Sequence, residues 1–248
     1  MRLRDKTAII TGAGSGIGRA TARTFAGEGA AVGVADLDGD AAKRVASEIE
    51  ASGGTAQALQ VDVSDPESVT AAFAAFPGAG RSLDILINCA GINRDGFAKS
   101  LPVDDWDQVL NVNLKGTFLT CQAALRAMTD QGAGSIVNTA SIAVRGNVGQ
   151  ANYSASKSGV IGLSRTLALE AARRGVRVNC VSPGPTKTPM AESVPEKIRD
   201  AIVARIPLRR MAEPEEIASL FLFLASDESS FLTGEHIFCD GGINIGVM

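Results

Sequence analysis

The sequence predicts a doubly wound α/β protein, built as a single domain around a parallel sheet. The chain has 248 residues, of which 45% are hydrophobic, and this is enough for one sizeable core. Short apolar segments alternate with longer amphipathic ones, which is the pattern of repeated βαβ units. The short segments lack polar alternation, so we expect both faces of each strand to be buried, as in a parallel sheet. We therefore treat residues 1–248 as one domain.

The elements follow from this alternation in chain order. Seven short apolar segments are predicted to be strands: Thr7–Thr11, Ala31–Ala35, Ala56–Val61, Leu83–Asn88, Ser135–Thr139, Arg177–Val181 and Glu235–Cys239. Six amphipathic segments are predicted to be helices: Gly16–Gly27, Asp40–Ala51, Pro66–Phe76, Asp105–Thr129, Tyr153–Arg173 and Pro214–Ala225. Pro66 and Pro214 each stand at a first helical position with acidic neighbours, which is a typical helix start.

One segment, Pro183–Pro207, interrupts the regular alternation. It is rich in proline and contains only a short helical pattern, Pro195–Arg205. Irregular segments of this length inside a compact domain are often lids or binding loops. We expect residues 183–207 to form a substrate lid that closes over bound ligand.

Composition excludes several classes of function. The formal net charge is −3 and no dense basic stretch exists, so we expect no nucleic-acid partner. The longest apolar run, Leu220–Ala225, is too short to span a membrane, and no signal peptide is recognisable. Four scattered cysteines without C-x-x-C spacing suit reduced thiols in the cytoplasm. His236 is the single histidine, so we expect neither a metal site nor a histidine-based triad.

A glycine-rich turn follows the first strand and opens the first helix. Glycines there allow a tight turn and a close approach of the backbone to a pyrophosphate, which the helix N-terminus attracts. The alternative is an ordinary glycine turn, but the strand and the helix are both in place. We expect cofactor contacts from Gly12, Ser15, Gly16, Ile17 and Gly18.

Asp36 ends the second strand and indicates which dinucleotide is bound. A carboxylate there accepts hydrogen bonds from both ribose hydroxyls and repels a 2′-phosphate. Neither Leu37 nor Ser15 offers a positive charge to such a phosphate. The sequence therefore predicts NAD(H) in preference to NADP(H). Asp62, after the third strand, could accept from the adenine amino group or could cap a helix.

Tyr153 and Lys157 form the most informative pair in the chain. A separation of four residues places both side chains on one helix face. A phenol has a pKa of about 10, and a nearby ammonium favours its ionised form. The pair is thus a plausible acid/base device, although the same spacing also occurs by chance in surface helices.

Several motifs in order make the whole chain resemble the short-chain dehydrogenase/reductase family. They are Thr11-Gly-x-x-x-Gly16-x-Gly18, Asn88-Cys-Ala-Gly91, Asn113 within Asn111-Val-Asn-Leu, Ser141, Tyr153-x-x-x-Lys157 and Pro183-Gly184. Within the family, the chain is most similar to the 3-oxoacyl-acyl-carrier-protein reductase group. The segments Ala90–Asp95, Gly149–Tyr153 and Phe223–Glu228 carry that closer likeness.

The resemblance implies a Rossmann-type fold and a role for each matching residue. Tyr153 would exchange the proton with the substrate oxygen, and Ser141 would donate a hydrogen bond to the same oxygen. Lys157 would lower the pKa of Tyr153 and bind the nicotinamide ribose. Asn113 would distort the long helix locally and anchor a water in a proton relay, although a buried amide satisfied by backbone would look the same. Further cofactor contacts would come from Leu37, Val63, Asn88, Ala90, Gly91, Pro183, Gly184, Thr186 and Thr188.

The chain departs from the reductase group at three places. That group mostly uses NADP, whereas Asp36 favours NAD. The group also docks an acidic carrier protein through two basic residues, of which only Arg174 has a match here. Cys89 replaces the second asparagine of the usual Asn-Asn-Ala-Gly and is not expected to be catalytic.

Three functions are compatible with these residues. The first is an NAD(H)-dependent reductase of a ketone, such as a 3-oxoacyl thioester. The second is a catabolic dehydrogenase of a sugar, polyol, steroid or small alcohol, and the third is a non-catalytic dinucleotide-binding regulator. Because the substrate pocket is expected to be lined by Ile92, Ile142, Val144, Pro185 and Met190, an apolar ketone is favoured over a sugar.

The sequence also predicts a homotetramer. The helices Asp105–Thr129 and Tyr153–Arg173 carry small and apolar residues at helical spacing, which either face their own sheet or pack across a two-fold axis. These residues are Ala123, Ala124, Ala155, Gly159, Leu163 and Leu167. The apolar tail 243–248 suits a second contact of this kind.

Overall fold

The computed structural model contains one sheet of seven strands in the order β3-β2-β1-β4-β5-β6-β7. It describes residues 1–76, 82–192 and 194–245. The strands are β1 (Thr7–Thr11), β2 (Ala31–Asp36), β3 (Thr55–Gln60), β4 (Ile85–Asn88), β5 (Gly134–Thr139), β6 (Val176–Pro183) and β7 (His236–Cys239). All neighbouring strands pair in parallel, which confirms the predicted sheet. The order reverses between β1 and β4, and this switch point opens a crevice at the carboxyl ends of the strands.

The helices are α1 (Gly16–Gly27), α2 (Gly39–Ala51), α3 (Pro66–Ala75), α4 (Val103–Leu110), α5 (Gly116–Gln131), α6 (Ala151–Ala171), α7 (Pro189–Glu192), α8 (Glu196–Arg205) and α9 (Pro214–Ala225). The helix predicted over Asp105–Thr129 is present as one helical stretch from Val103 to Gln131. A π-helical turn, Asn111–Lys115, separates α4 from α5. The proline starts of α3 and α9 are confirmed, and Glu213 and Glu216 form a capping box at the latter.

Two hydrophobic clusters cover the two faces of the sheet, because successive strand residues point in opposite directions. Ile10 packs on one face with Phe25 and Phe221 from α1 and α9. Its neighbour Ile9 packs on the other face in the cluster that contains Met128 and Leu167 from α5 and α6. Burial on both faces is the reason that β1, β2, β4, β5 and β6 lack polar alternation. The edge strand β3 differs from the expectation, because only Leu59 is buried there and one face of an edge strand is left to solvent. Among the described residues, no helix is both long enough and apolar enough to cross a bilayer.

Candidate active site

A cavity of about 1130 Å³ opens at the switch point of the sheet. It brings together most of the residues that the sequence singled out. Those lining it are Gly12, Ser15, Gly16, Ile17, Gly18, Asp36, Leu37, Asp62, Val63, Ala90, Gly91, Ser141, Tyr153, Lys157, Pro183, Gly184, Thr186 and Thr188. Asn88 and Asn113 do not line it, and both are buried behind its wall.

The glycine turn has the geometry of a phosphate cradle. Gly12 and Gly16 adopt positive φ angles of 64° and 51°, which favour glycine. At Gly18, a Cβ would lie 2.2 Å from the carbonyl oxygen of Gly12, so a side chain is excluded there. Ser15 precedes α1 without a side-chain cap to the first helical turn. The N–H groups of that turn are therefore suited to bind an anionic group such as a pyrophosphate.

Asp36 supports this turn as well as facing the cavity. Its Oδ2 accepts a hydrogen bond from the Gly14 N–H at 2.8 Å, and its Oδ1 accepts from the Asp38 N–H at 3.0 Å. A Cβ at position 14 would lie only 2.8 Å from the same Oδ2, so glycine is needed there too. The sequence did not reveal this contact, because it joins residues on two different strand ends.

Asp62 lines the cavity and does not cap a helix. Its Oδ1 accepts from the backbone N–H and the hydroxyl of Ser64, at 2.9 and 2.7 Å. The residue that caps α3 is Asp65, whose carboxylate accepts from the Glu67 N–H at 3.0 Å. The capping role considered for Asp62 is therefore wrong, and its contact with the adenine amino group stays a prediction.

Asn113 ties the loop after β4 to the π-helical turn. Its Oδ1 accepts from the Ile92 N–H at 2.8 Å, and its Nδ2 donates to the Ile92 carbonyl at 2.9 Å. The same Nδ2 lies 3.2 Å from the Ser156 hydroxyl on α6. The Asn113 carbonyl accepts from the Thr117 hydroxyl at 2.7 Å. The local helix distortion expected at Asn113 is thus present, and the amide fixes one wall of the cavity.

Asn88 belongs to a buried polar network beneath the cavity floor. Its Nδ2 donates to Asn138 Oδ1 at 2.9 Å, and its Oδ1 accepts from the Thr120 hydroxyl at 2.8 Å. Asn138 in turn donates to the Ser164 hydroxyl at 2.9 Å. The amide of Asn88 therefore supports the groove from behind, and it is not one of the groups that face a ligand there. Asn138 was missed, although a polar residue in an apolar strand is a usable signal.

Ser141 and Tyr153 meet at the cavity wall. Ser141 begins a 3₁₀ turn, Ile142–Arg145, and its Oγ accepts from the Ala143 N–H at 3.2 Å. Burial raises the pKa of Tyr153 above its usual value, and the charge of Asp95 adds to this. A hydrogen bond from Ser141 opposes the rise, because it stabilises the phenolate. Ser141 and Tyr153 thus face the same cavity and influence each other there.

Lys157 is 3% exposed, and its ammonium donates to the Thr139 carbonyl at 2.8 Å. The Nζ atom lies 5.8 Å from the centre of the Tyr153 ring. Burial lowers the pKa of Lys157 to about 8. The net pKa shift of Tyr153 is upward, opposite to the direction that the Tyr153–Lys157 spacing predicted. The physical reason is that desolvation of the phenolate outweighs the other influences on Tyr153.

The substrate side of the cavity is less uniformly apolar than expected. Ile92, Ile142, Pro185 and Met190 line it, but Val144 instead packs against the buried cluster of Ala140, Val160 and Cys180. Arg94 lines it, as expected of the segment Ile92–Arg94, and so do Arg145 and Asn147, which the sequence did not predict. Two further polar lining groups are paired with each other. Gln150 Nε2 lies 3.1 and 3.2 Å from the two oxygens of Asp95.

Other chemistries find little support in the described parts of the chain. In residues 1–76, 82–192 and 194–245, no group of three or more His, Cys, Asp or Glu side chains is placed to bind a metal ion. Burial raises the pKa of the Cys89 thiol to about 12. A thiol of such high pKa is a poor nucleophile.

Comparison with known proteins agrees with this geometry. A family model described as enoyl-(acyl carrier protein) reductase matches residues 12–244. The chain is 45% identical over 246 residues to the 3-oxoacyl-[acyl-carrier-protein] reductase FabG of Thermotoga maritima, covering 99% of this chain and 100% of that protein. It is also 45% identical over 259 residues to the (3R)-3-hydroxyacyl-CoA dehydrogenase of Mus musculus, covering 98% of each.

A solved structure shows the same fold. The crystal structure of a short-chain type dehydrogenase/reductase from Mycobacterium marinum superposes with a TM-score of 0.92 at 39% identity, covering 97% of this chain and 96% of that one. The similarity therefore spans nearly all of the chain, including the elements that line the cavity.

Proposed function

Because the chain belongs to the short-chain dehydrogenase/reductase family, we propose that this oxidoreductase of CH–OH groups interconverts 3-oxoacyl and 3-hydroxyacyl thioesters with NAD(H). The observation that carries the proposal is the meeting of Ser141, Tyr153 and Lys157 in one cavity, between the phosphate cradle and the segment 183–207. Two relatives of 45% identity are named for 3-oxoacyl and 3-hydroxyacyl thioesters, and this supports the substrate class.

In this proposal the nicotinamide ring, when bound, supplies or accepts the hydride. Tyr153 gives its proton to the carbonyl oxygen in reduction and takes one from the alcohol in oxidation. Ser141 donates a hydrogen bond to the same oxygen and stabilises the charge that develops on it.

The remaining two catalytic residues act beside that pair. An ammonium has three donors, and Lys157 uses one on the Thr139 carbonyl, which leaves two for the dinucleotide ribose and a proton relay. Asn113 supports them from behind the cavity wall, because its side-chain amide is already bonded to Ile92 and Ser156. In this proposal Ser141, Tyr153 and Lys157 form the unit for proton transfer, and Asn113 holds the neighbouring loop in place.

The lining of the cavity favours a thioester over a sugar. Ile92, Ile142, Pro185 and Met190 present apolar surface to the substrate. Selection of a polyol needs several polar groups aimed at its hydroxyls. Asp95 and Gln150 are poor candidates, because their side chains are bonded to each other. Three other polar lining groups are also engaged within the protein: Arg94 with Gln108, Arg145 with the Asn244 carbonyl and Asn147 with Gln150.

The proposal is tested by comparing kcat/KM for acetoacetyl-CoA, simple secondary alcohols and a panel of sugars. We expect the thioester to be the best substrate. A higher kcat/KM for a sugar or polyol would instead identify a catabolic dehydrogenase. Dinucleotide binding without turnover of any ketone or alcohol would identify a non-catalytic regulator.

The preference for NAD(H) rests on Asp36. Two backbone N–H groups hold its carboxylate in place at the cavity, so it is not free to turn away from a 2′-phosphate. Like-charge repulsion between this carboxylate and a 2′-phosphate costs several kcal/mol once the bound dinucleotide excludes water from the contact. We expect kcat/KM to be higher with NADH than with NADPH. The substitution Asp36→Ser should lower the ratio of kcat/KM with NADH to kcat/KM with NADPH. Equal values for the wild type would contradict this role of Asp36.

The lid proposed for residues 183–207 is anchored at both ends and exposed between them. Ala212 exchanges backbone hydrogen bonds with Pro185 and Lys187, both of 2.9 Å, and Ile206 is buried. No described residue of α7 or α8 is buried. This contrast supports closure of the two helices over a bound ligand.

We also propose a cytoplasmic homotetramer. Ala124 and Leu167 lie in the core of their own subunit, so these two cannot form the interface. Phe118, Leu169 and Phe231 are 41%, 83% and 102% exposed and supply apolar surface for it. Of the tail 243–248, residues 246–248 lie outside the described residues. Light scattering that reports a monomer at micromolar concentration would overturn the tetramer. The cytoplasmic location is proposed because all four cysteines are free thiols, which a reducing compartment preserves.

A further inference from the structure

The only histidine of the chain lies on the same sheet face as Ser182, behind the catalytic serine. His236 opens β7, and its Nε2 lies 2.7 Å from the Ser182 hydroxyl on β6. The Ser182 Oγ lies 3.1 Å from the main-chain carbonyl of Ser141. No role in proton or hydride transfer was assigned above to either side chain.

The second of these bonds marks the place where the chain leaves the sheet. The last backbone bond between the two strand ends runs from the Ala140 N–H to the Val181 carbonyl at 2.7 Å. Ser141, the next residue, turns away into the 3₁₀ turn. The hydroxyl of Ser182 therefore extends the β5–β6 ladder by one side-chain bond and fixes the backbone of Ser141.

The number of available hydrogens sets the direction of the two hydrogen bonds that link His236, Ser182 and Ser141. Ser182 has one hydroxyl hydrogen, and the Ser141 carbonyl oxygen can only accept. If Ser182 donates to that carbonyl, Nε2 of His236 must carry a hydrogen and donate to Ser182. Both the neutral Nε2–H tautomer and the imidazolium satisfy this condition.

The surroundings of His236 keep its ring in place. The ring lies 4.6 Å from that of Phe238, and the Arg145 guanidinium lies 5.8 Å from the centre of the Phe238 ring. Burial lowers the pKa of His236, and the charge of Arg165 adds to the effect. Arg145 belongs to the 3₁₀ turn that begins at Ser141. The histidine is therefore linked to that turn twice, through Ser182 and through Phe238.

We propose that Ser182 and His236 are positioning residues that hold Ser141 in its reactive orientation, through a directed chain from the His236 Nε2–H to the Ser182 hydroxyl and on to the Ser141 carbonyl. The inference rests on the catalytic role proposed for Ser141. Its first test does not depend on activity, so that failure of the two ideas can be told apart.

The first test reads the tautomer of His236 by NMR of protein labelled with ¹⁵N-histidine. A single histidine gives a single pair of imidazole nitrogen signals. We expect the neutral ring to carry its hydrogen on Nε2 in the wild type. A neutral ring with its hydrogen on Nδ1 would overturn the proposal, because Ser182 would then donate to the histidine and not to Ser141.

The second test measures turnover of Ser182→Ala. Loss of one net hydrogen bond predicts a fall in kcat of about three- to tenfold, with the Kd of the dinucleotide unchanged. The pH at which alcohol oxidation reaches half of its maximum should rise, because a displaced Ser141 no longer lowers the pKa of Tyr153. A general loss of packing would not move that pH. Wild-type kcat together with a wild-type pH profile would overturn the proposal.

Matched variants separate positioning from stability. Ser135→Ala removes a buried hydroxyl at the opposite end of β5, where it donates to the Leu224 carbonyl at 2.9 Å, and should leave kcat and the profile unchanged. If Ser182→Ala does not fold, the pair His236→Gln and His236→Leu decides. Glutamine keeps an N–H donor, so the His236→Gln variant should retain more activity than His236→Leu. Equal activity of the two variants would contradict the proposed hydrogen bonds from His236 through Ser182 to Ser141.

Discussion

The polar wall of the cavity and its lid are built in opposite ways. The polar wall consists of Ser141, Tyr153 and Lys157, with Asn88 and Asn113 buried behind it, and the proposed lid is the segment Pro183–Pro207. Asn88, Asn113 and Lys157 are at most 4% exposed, and their polar atoms are bonded within the protein. In the lid, by contrast, no described residue of α7 or α8 is buried. If the proposed roles hold, the difference teaches that proton transfer relies on a well-buried, hydrogen-bonded scaffold, while substrate access relies on a segment that little burial restrains.

The largest expected effect comes from the hydroxyl of Tyr153. Tyr153→Phe should lower kcat by about 10²–10⁴-fold, because positioned proton transfer is lost. The melting temperature and the Kd for dinucleotide should stay close to the wild type, since the ring is retained. Steady-state kinetics and fluorescence titration measure these quantities. A variant that keeps more than roughly a tenth of wild-type kcat would remove Tyr153 from the mechanism.

The next effect tests whether the polar wall is as rigid as its bonds suggest. Asn113→Ala leaves the N–H and the carbonyl of Ile92 without their partner, so the free energy of unfolding should fall by about 2–5 kcal/mol. Urea unfolding measures the change. Asn111→Ala, an exposed neighbour in the same π-helical turn, is the control and should stay within about 0.5 kcal/mol of the wild type. Equal losses of unfolding free energy in the two variants would refute the stabilising role of the bonds between Asn113 and Ile92.

Lys157 should make the stability of the polar wall depend on pH. The pKa of Lys157 is about 8 in the folded protein against an ordinary 10.5, so the folded state binds fewer protons than the unfolded state between these pH values. The contribution of Lys157 to the free energy of unfolding is therefore fully present above pH 10.5 and is lost as the pH falls through 8. Lys157→Met removes this dependence. The free energy of unfolding of the wild type should therefore rise relative to the variant by up to about 3 kcal/mol between pH 7 and 10.5.

Urea unfolding of both proteins at several pH values measures this difference. The comparison with the variant cancels the contributions of tyrosine and cysteine groups, which act in the opposite direction over the same pH range. Lys197→Met, on an exposed position of α8, is the matched control for the substitution. A difference between wild type and Lys157→Met that stays constant with pH would contradict the low pKa.

The smallest effect on stability is expected in the lid. Ile202 lines the cavity from α8, whereas Ile198 on the same helix is 51% exposed and points elsewhere. Ile202→Ala should raise the KM for an acyl thioester about three- to tenfold, because apolar contact with the substrate is lost, while unfolding changes by less than about 1 kcal/mol. Ile198→Ala should change neither quantity. An Ile202→Ala variant that loses stability as Asn113→Ala does would show that the lid is not a separate, weakly restrained segment.

Local signals in the sequence determined the fold class and most of the cavity. Strand bounds agree within one or two residues, because the apolar pattern of a buried strand is contained in the strand itself. The glycine turn, Asp36, Ser141, Tyr153 and Lys157 all reach one cavity, since the carboxyl ends of parallel strands share one edge of the sheet.

The tertiary structure alone decided what joins distant parts of the chain. The π-helical turn at Asn113 depends on Ile92, the turn at Gly14 depends on Asp36, and the amide of Asn88 is satisfied by Asn138 and Thr120. The direction of the pKa shift at Tyr153 depends on how deeply the folded chain buries it. Spacing along the sequence encodes neighbours on one helix or strand, but it carries no measure of desolvation or of contacts between elements, and these set the chemistry of the site.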